Sequence, residues 1–190
     1  MALGGLVLVA LLTVGFVQLS RSSQAPAAAS GLTVAQMQAR LKDYPAPLAA
    51  LHAQASELLG GGARALDARL QELRGEPTVI NKWASWCEPC RAESGVFQRV
   101  AVSLGREVAF IGLDSGDSSR GEPESFLRAF PQSYPSYYDE SGQLGVAITD
   151  SSNTPVTVFY DRTGGRYIRQ GPYLSVAKLE ADVRRYALGE

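Results

Sequence analysis

The stretch "NKWASWCEPCRAE", residues 81–93, holds both cysteines of a 190-residue chain, Cys87 and Cys90. Two thiols separated by two residues can form a redox couple, staple a short loop, or supply half of a metal site. The run before them, "PTVINKW", is rich in β-branched residues and suits a buried strand. The run after them, "RAESGVFQRVAVSL", sets Val96, Phe97, Val100 and Leu104 on one helical face. The pair therefore sits where a strand ends and a helix begins. A first helical turn offers unpaired N–H groups and the positive end of the helix dipole, both of which favour thiolate over thiol. Cys87 is the candidate nucleophile. A helical turn brings Cys90 back beside it, so Cys90 is the candidate resolving thiol. Pro89 fits the first turn, where its missing N–H costs little.

The competing readings are weaker on physical grounds. A disulfide across so short a loop constrains the unfolded chain little. A zinc site needs two further good ligands, and the chain has no third cysteine and a single histidine, His52.

The elements that must position this pair alternate in type. "LTVAQMQARLKDY" and "PLAALHAQASELL" read as preliminary helices, the first stopped by Pro45 and Pro47 and the second by the glycines at 60–62. "ARALDARLQELR" carries a stripe of Leu66, Leu70 and Leu73. After the strand and helix around the cysteines come a second buried strand, "EVAFIGLD", and a helix, "EPESFLRAF". "TPVTVFYDRTGGRYIRQG" reads as two strands joined by a turn at Asp161 to Gly165. A closing helix then sets Val176, Leu179 and Val183 on one side. This order predicts one layered α/β domain over residues 63–190, preceded by a linker and preliminary helices over 21–62.

Eighteen Lys and Arg stand against nineteen Asp and Glu, with no dense basic run, so the charge footprint of a nucleic-acid binder is missing. Residues 1–20 predict a membrane anchor or a signal. From Ala2 to Ser20 there is no charged side chain, long enough to cross a hydrocarbon core of about 30 Å. A retained anchor is favoured over cleavage at the small residues near Ala27, because a charged leader is missing and the apolar run is long. No second cysteine pair or apolar heptad argues for an oligomer, so a monomer is expected.

"WASWCEPCRAE" resembles the active-site signature of the thioredoxin superfamily, and more closely its TlpA/ResA-like branch of extracytoplasmic, often membrane-tethered proteins. The resemblance implies a thioredoxin-like fold, a central mixed sheet flanked by helices. It also implies a cis proline facing the cysteines, which falls on Pro155 of Thr154-Pro155, with the Thr154 backbone and Trp86 as substrate contacts. Classical thioredoxins carry an acid where this chain has Asn81. The resemblance instead nominates Glu93, one helical turn past Cys90, to exchange a proton with it, and Glu88 to tune the pair. "YPSYYD" matches the start of an additional strand in that branch, with Tyr134, Tyr137 and Tyr138 expected in core and rim packing. Trp83 is expected in the core. One departure is Lys82, where the family has a large apolar residue; it is expected at an edge or snorkelling to solvent.

The function this resemblance implies is reduction of disulfides in client proteins outside the cytoplasm, with apocytochrome c as the leading client and a membrane dithiol as electron donor. No metal or organic cofactor is expected. An oxidant that introduces disulfides uses the same residues in reverse. A peroxide-reducing thiol enzyme fits the C-E-P-C pair poorly, and a tethered binding or chaperone module without thiol exchange is the alternative from another class.

Overall fold

The computed structural model describes residues 31–190 apart from Asp43 and Pro45. The expected anchor, residues 1–20, and the start of the linker lie outside the described residues. Among the described residues no helix is long and apolar enough to cross a membrane.

Contacts run continuously from Gly31 to Glu190. The chain begins with α1 (Val34–Arg40) and α2 (Leu48–Ala53), continues through β1 (Leu58–Leu59), α3 (Gly62–Glu72), β2 (Thr78–Trp83) and α4 (Glu88–Leu104), and then β3 (Ala109–Ser115) and α5 (Gly121–Ala129). β4 (Ser136–Asp139), α6 (Gln143–Thr149), β5 (Val156–Tyr160), β6 (Arg166–Gln170) and α7 (Val176–Val183) complete it, with a π turn over Arg184–Leu188. The six strands form one sheet in the order β1-β4-β3-β2-β5-β6. β1 through β4 pair in parallel, and β5 and β6 run antiparallel. The sheet is mixed, and β2, which delivers the cysteines, lies in its middle.

Side chains alternate across a strand, so successive residues of β2 serve opposite layers. Val79 joins Phe97, Val100 and Leu104 of α4 with Leu179 and Val183 of α7. Ile80 joins Leu48 and Leu51 of α2 with Leu66 and Leu73 on the other face. The expected preliminary helices are thus part of the core. A third cluster, with Trp83, Phe126 and Leu127, packs around Cys87 and Cys90. Trp83 stacks on Phe126 at 4.5 Å between ring centroids, and its Nε1 donates to Ser136 Oγ at 3.2 Å. Tyr134 and Tyr137 are buried and Tyr138 half-buried.

Two expectations need correction. The helix expected from Pro47 to Leu59 stops at Ala53. Ser56 turns left-handed at φ 62°, its N–H bonds Tyr134 C=O, and Leu58–Leu59 pair as a strand with Ser136 and Tyr137. The sheet edge captures a segment whose apolar spacing is helical, a tertiary override of local pattern. Lys82 is at no edge. It lies mid-sheet, 2% exposed, and its Nζ donates to Ser151 C=O at 2.7 Å. Burial pulls its amine below the usual lysine range, and Asp139 opposes that fall.

Candidate active site

Cys87 caps α4. Its backbone is extended, and Cys90 N–H donates to Cys87 Sγ at 3.2 Å. Glu88 and Pro89 take the first helical positions, as the sequence pattern predicts, and both are exposed. Cys87 and Cys90 are joined in a disulfide and are 3% and 1% exposed. The Cys90 N–H, in the first turn, therefore points at the sulfur of Cys87, where a thiolate would gather charge after reduction.

Trp86 stands out from this buried surface at 64% exposure, its indole Nε1 donating to Gly116 C=O at 3.3 Å. Antiparallel pairing of β5 with β2 ends at Lys82↔Val156, which brings Thr154 and Pro155 alongside the end of β2. The Thr154–Pro155 peptide is cis. Thr154 lies beyond the ladder, its Oγ1 buried without a hydrogen-bond partner.

Glu93 is fully buried on α4. Its Oε2 accepts the Tyr173 N–H at 2.9 Å, and its Oε1 has no partner. Burial pushes its carboxyl from 4.5 up to about 7; the Tyr173 N–H, the Asn81 side chain and the Arg169 charge hold the rise in check. A carboxyl with that affinity is half protonated near neutral pH and is suited to trading a proton with a neighbouring thiol. Asn81 projects from β2 on the face of Val79, toward α4. Asn81 and Cys90 share the lining of a small cavity with Ser94, Gln132 and Tyr134. Among the described residues no group of three or more His, Cys, Asp and Glu is arranged to hold a metal ion.

Three contributors escape a reading of the sequence. Asp117 accepts from the Ser85 N–H at 2.7 Å and the Ser85 hydroxyl at 2.6 Å, tethering the segment that leads into Cys87. Arg91 Nη2 donates to Ser85 C=O at 2.6 Å from the other side. Tyr173 reaches Glu93 across 80 residues of chain. Only the acid that follows the apolar strand in "GLDSGD" left a signal, since functional loops follow the ends of such strands.

No family model matches the chain. The curated thiol:disulfide interchange protein DsbE of Pseudomonas fluorescens biotype C is 32% identical over 94 residues, covering 49% of this chain and 50% of that protein. The thiol-disulfide oxidoreductase ResA of Oceanobacillus iheyensis is 26% identical over 76 residues, 40% of each chain. The solved structure of MTB dsbF in mixed oxidized and reduced forms superposes with a TM-score of 0.56 at 26% identity, over 62% of this chain and 85% of that one. The chain belongs to the thioredoxin superfamily. Its relatives there are the DsbE- and ResA-like thiol-disulfide oxidoreductases, and it spans about half the length of the curated relatives it matches. The thioredoxin-like fold implied by "WASWCEPCRAE" is the fold observed.

Proposed function

We propose that this protein is a thiol-disulfide oxidoreductase that reduces disulfides of client proteins outside the cytoplasm. The observation that carries this reading is the Cys87–Cys90 disulfide at the N-terminus of α4, with a buried carboxyl one turn further along the same helix. In the reduced form the Cys87 thiolate attacks one sulfur of a client disulfide, and the other client sulfur leaves as a thiolate that takes a proton from solvent. Cys90 then gives its proton to Glu93 and attacks Cys87 Sγ. The client departs with two thiols and the pair closes as a disulfide, having supplied both electrons. A membrane dithiol restores the reduced pair.

Thr154 and Trp86 receive the client as an extended segment, and Glu88, beside Cys87, makes the thiolate costlier and the pair more reducing. Cysteine-containing apocytochrome c before haem attachment is the proposed client. The names of the matched relatives, a thiol:disulfide interchange protein and a thiol-disulfide oxidoreductase, support the thiol-disulfide exchange itself. The catalytic unit is proposed to act as a monomer tethered through residues 1–20.

Equilibration with glutathione or dithiothreitol mixtures and counting of free thiols measures the potential of the pair. A value near or below about -270 mV, that of thioredoxin, supports a reductant, and one near about -120 mV makes the protein an oxidant of secreted proteins. A pair that does not cycle reversibly rejects both and leaves a binding module.

A further inference from the structure

Asp114 is the penultimate residue of β3, three residues before Asp117, and both side chains are fully buried. Asp117 spends its two oxygens on the Ser85 N–H and hydroxyl. Asp114 has no donor at all: neither Oδ1 nor Oδ2 finds a partner. Its carboxyl lies within hydrogen-bond reach of that of Asp117, and the other charges it feels are Asp139 of β4 and Glu122 of α5, again acidic.

The basic groups around this cluster are engaged elsewhere. Lys82 is bound to Ser151 C=O, Arg91 to Ser85 C=O, and Arg120 lies over the Tyr138 ring and pairs with Glu124. The Tyr138 hydroxyl donates to the backbone C=O of Asp117, not to a carboxyl. A buried carboxylate without a donor, beside a second carboxylate, is among the costliest arrangements in a protein interior, and a proton relieves it. Protonated, Asp114 becomes a donor, and the acceptor within reach is Asp117.

We propose that Asp114 is a carboxylic acid that donates its O–H to Asp117, and that this one-proton pair is the clamp that holds Ser85 and so presents Cys87. Asp117 then accepts three hydrogen bonds on one negative charge. Two of them hold Ser85, two residues before the nucleophile. Loss of the proton to solvent leaves two facing carboxylates with no donor between them, and their repulsion works against the grip on Ser85. Burial first, then Asp117, pushes the Asp114 carboxyl up to about 10, so the clamp is closed throughout the neutral range. The presence of the proton is independent of the proposed function; its effect on Cys87 rests on that reading.

Carbon-13 NMR of protein labelled only at aspartate carboxyls tests the proton directly and leaves Glu93 silent. One aspartate resonance is expected at the protonated position at neutral pH, moving only in the alkaline range and lost in Asp114→Asn. A wild-type spectrum in which every aspartate is ionised at neutral pH overturns the proposal, whether or not the variant folds. The positioning role is read from alkylation of Cys87 in the reduced protein across pH. Asp114→Asn supplies an amide donor to Asp117 and is expected to stay within about twofold of wild type at neutral pH and to lack its alkaline departure. Asp114→Leu, which cannot donate, is expected to react about tenfold differently already at neutral pH. Identical pH profiles for all three proteins overturn the positioning role even where the proton is found.

Discussion

Replacing Glu93 by Gln should make the protein more stable at neutral and alkaline pH, and the size of the gain follows from the structure. The carboxyl moves from 4.5 to about 7 on folding because it is buried with one oxygen unpartnered. An acid whose folded value is raised binds its proton more tightly when folded. Its contribution is therefore best below 4.5, is lost as pH rises through the window from 4.5 to about 7, and stays lost above it. Linkage puts the full loss at about 3 kcal/mol, of which about 2.5 kcal/mol falls between pH ~5 and pH ~8. The Gln variant keeps an acceptor for the Tyr173 N–H and has no proton to lose. Its amide N–H₂ has Asn81 Oδ1, itself without a partner, as a nearby acceptor. Urea unfolding of the oxidised wild type and Glu93→Gln near the two pH values gives four free energies, and their double difference cancels Asp114 and every other shared group. A double difference of about 2.5 kcal/mol in favour of the variant at the higher pH is expected. A value below about 0.5 kcal/mol would refute the reasoning, because Glu93 would then ionise in the folded protein as freely as in water.

Two further outcomes follow from other positions. Glu88→Gln removes a negative charge beside Cys87, so the thiolate form should gain and the potential of the pair should rise by about 10–30 mV in the same thiol-counting equilibration, with salt reducing the effect. Lys82→Met keeps the buried stem and loses the bond to Ser151 C=O, which also accepts from Thr149 Oγ1, together with the attraction to Asp139. It should cost about 1 kcal/mol, against about 3 kcal/mol for Lys82→Ala, which opens a cavity. Shifts in urea midpoint at constant slope measure both, and an alanine variant as stable as wild type would contradict the burial of Lys82.

What was legible in the sequence is what local pattern controls. β2, β3 and β5 are buried on both faces and read as runs rich in β-branched and other apolar residues, and α4 and α7 show their stripes through Phe97, Val100, Leu179 and Val183. The cap at Cys87 follows from two cysteines and a proline at the start of such a stripe. What was not legible depends on partners distant in sequence. Leu58 and Leu59 are a strand because Ser136 and Tyr137 present an open edge, and nothing in their own spacing says so. Lys82 is a polar residue in a central strand, and its amine is accommodated by a carbonyl 69 residues away. Asp117 and Tyr173 reach the site through contacts spanning 32 and 80 residues.

The site concentrates groups whose burial opposes folding. Asn81 cannot ionise, so β2 contributes no acid beneath the cysteines, and the acid of the site stands instead on α4 at Glu93. That exchange ties the acid to a different part of the chain. An acid on β2 would be held by the sheet, whereas Glu93 is held by the Tyr173 N–H, from the segment between β6 and α7. The same segment is bonded to the proline that follows Thr154, through Gly171 N–H and Pro155 C=O at 3.0 Å. Gly171 to Tyr173 therefore touch both Glu93, the proposed proton acceptor, and the turn proposed to face the client. A shift of this segment that lengthens the Tyr173–Glu93 bond removes a contact that restrains the carboxyl, so Glu93 would hold its proton more tightly. Any client contact that moves Thr154 and Pro155 would then be felt at Glu93, the acid proposed to serve Cys90, with no group in the site itself rearranged.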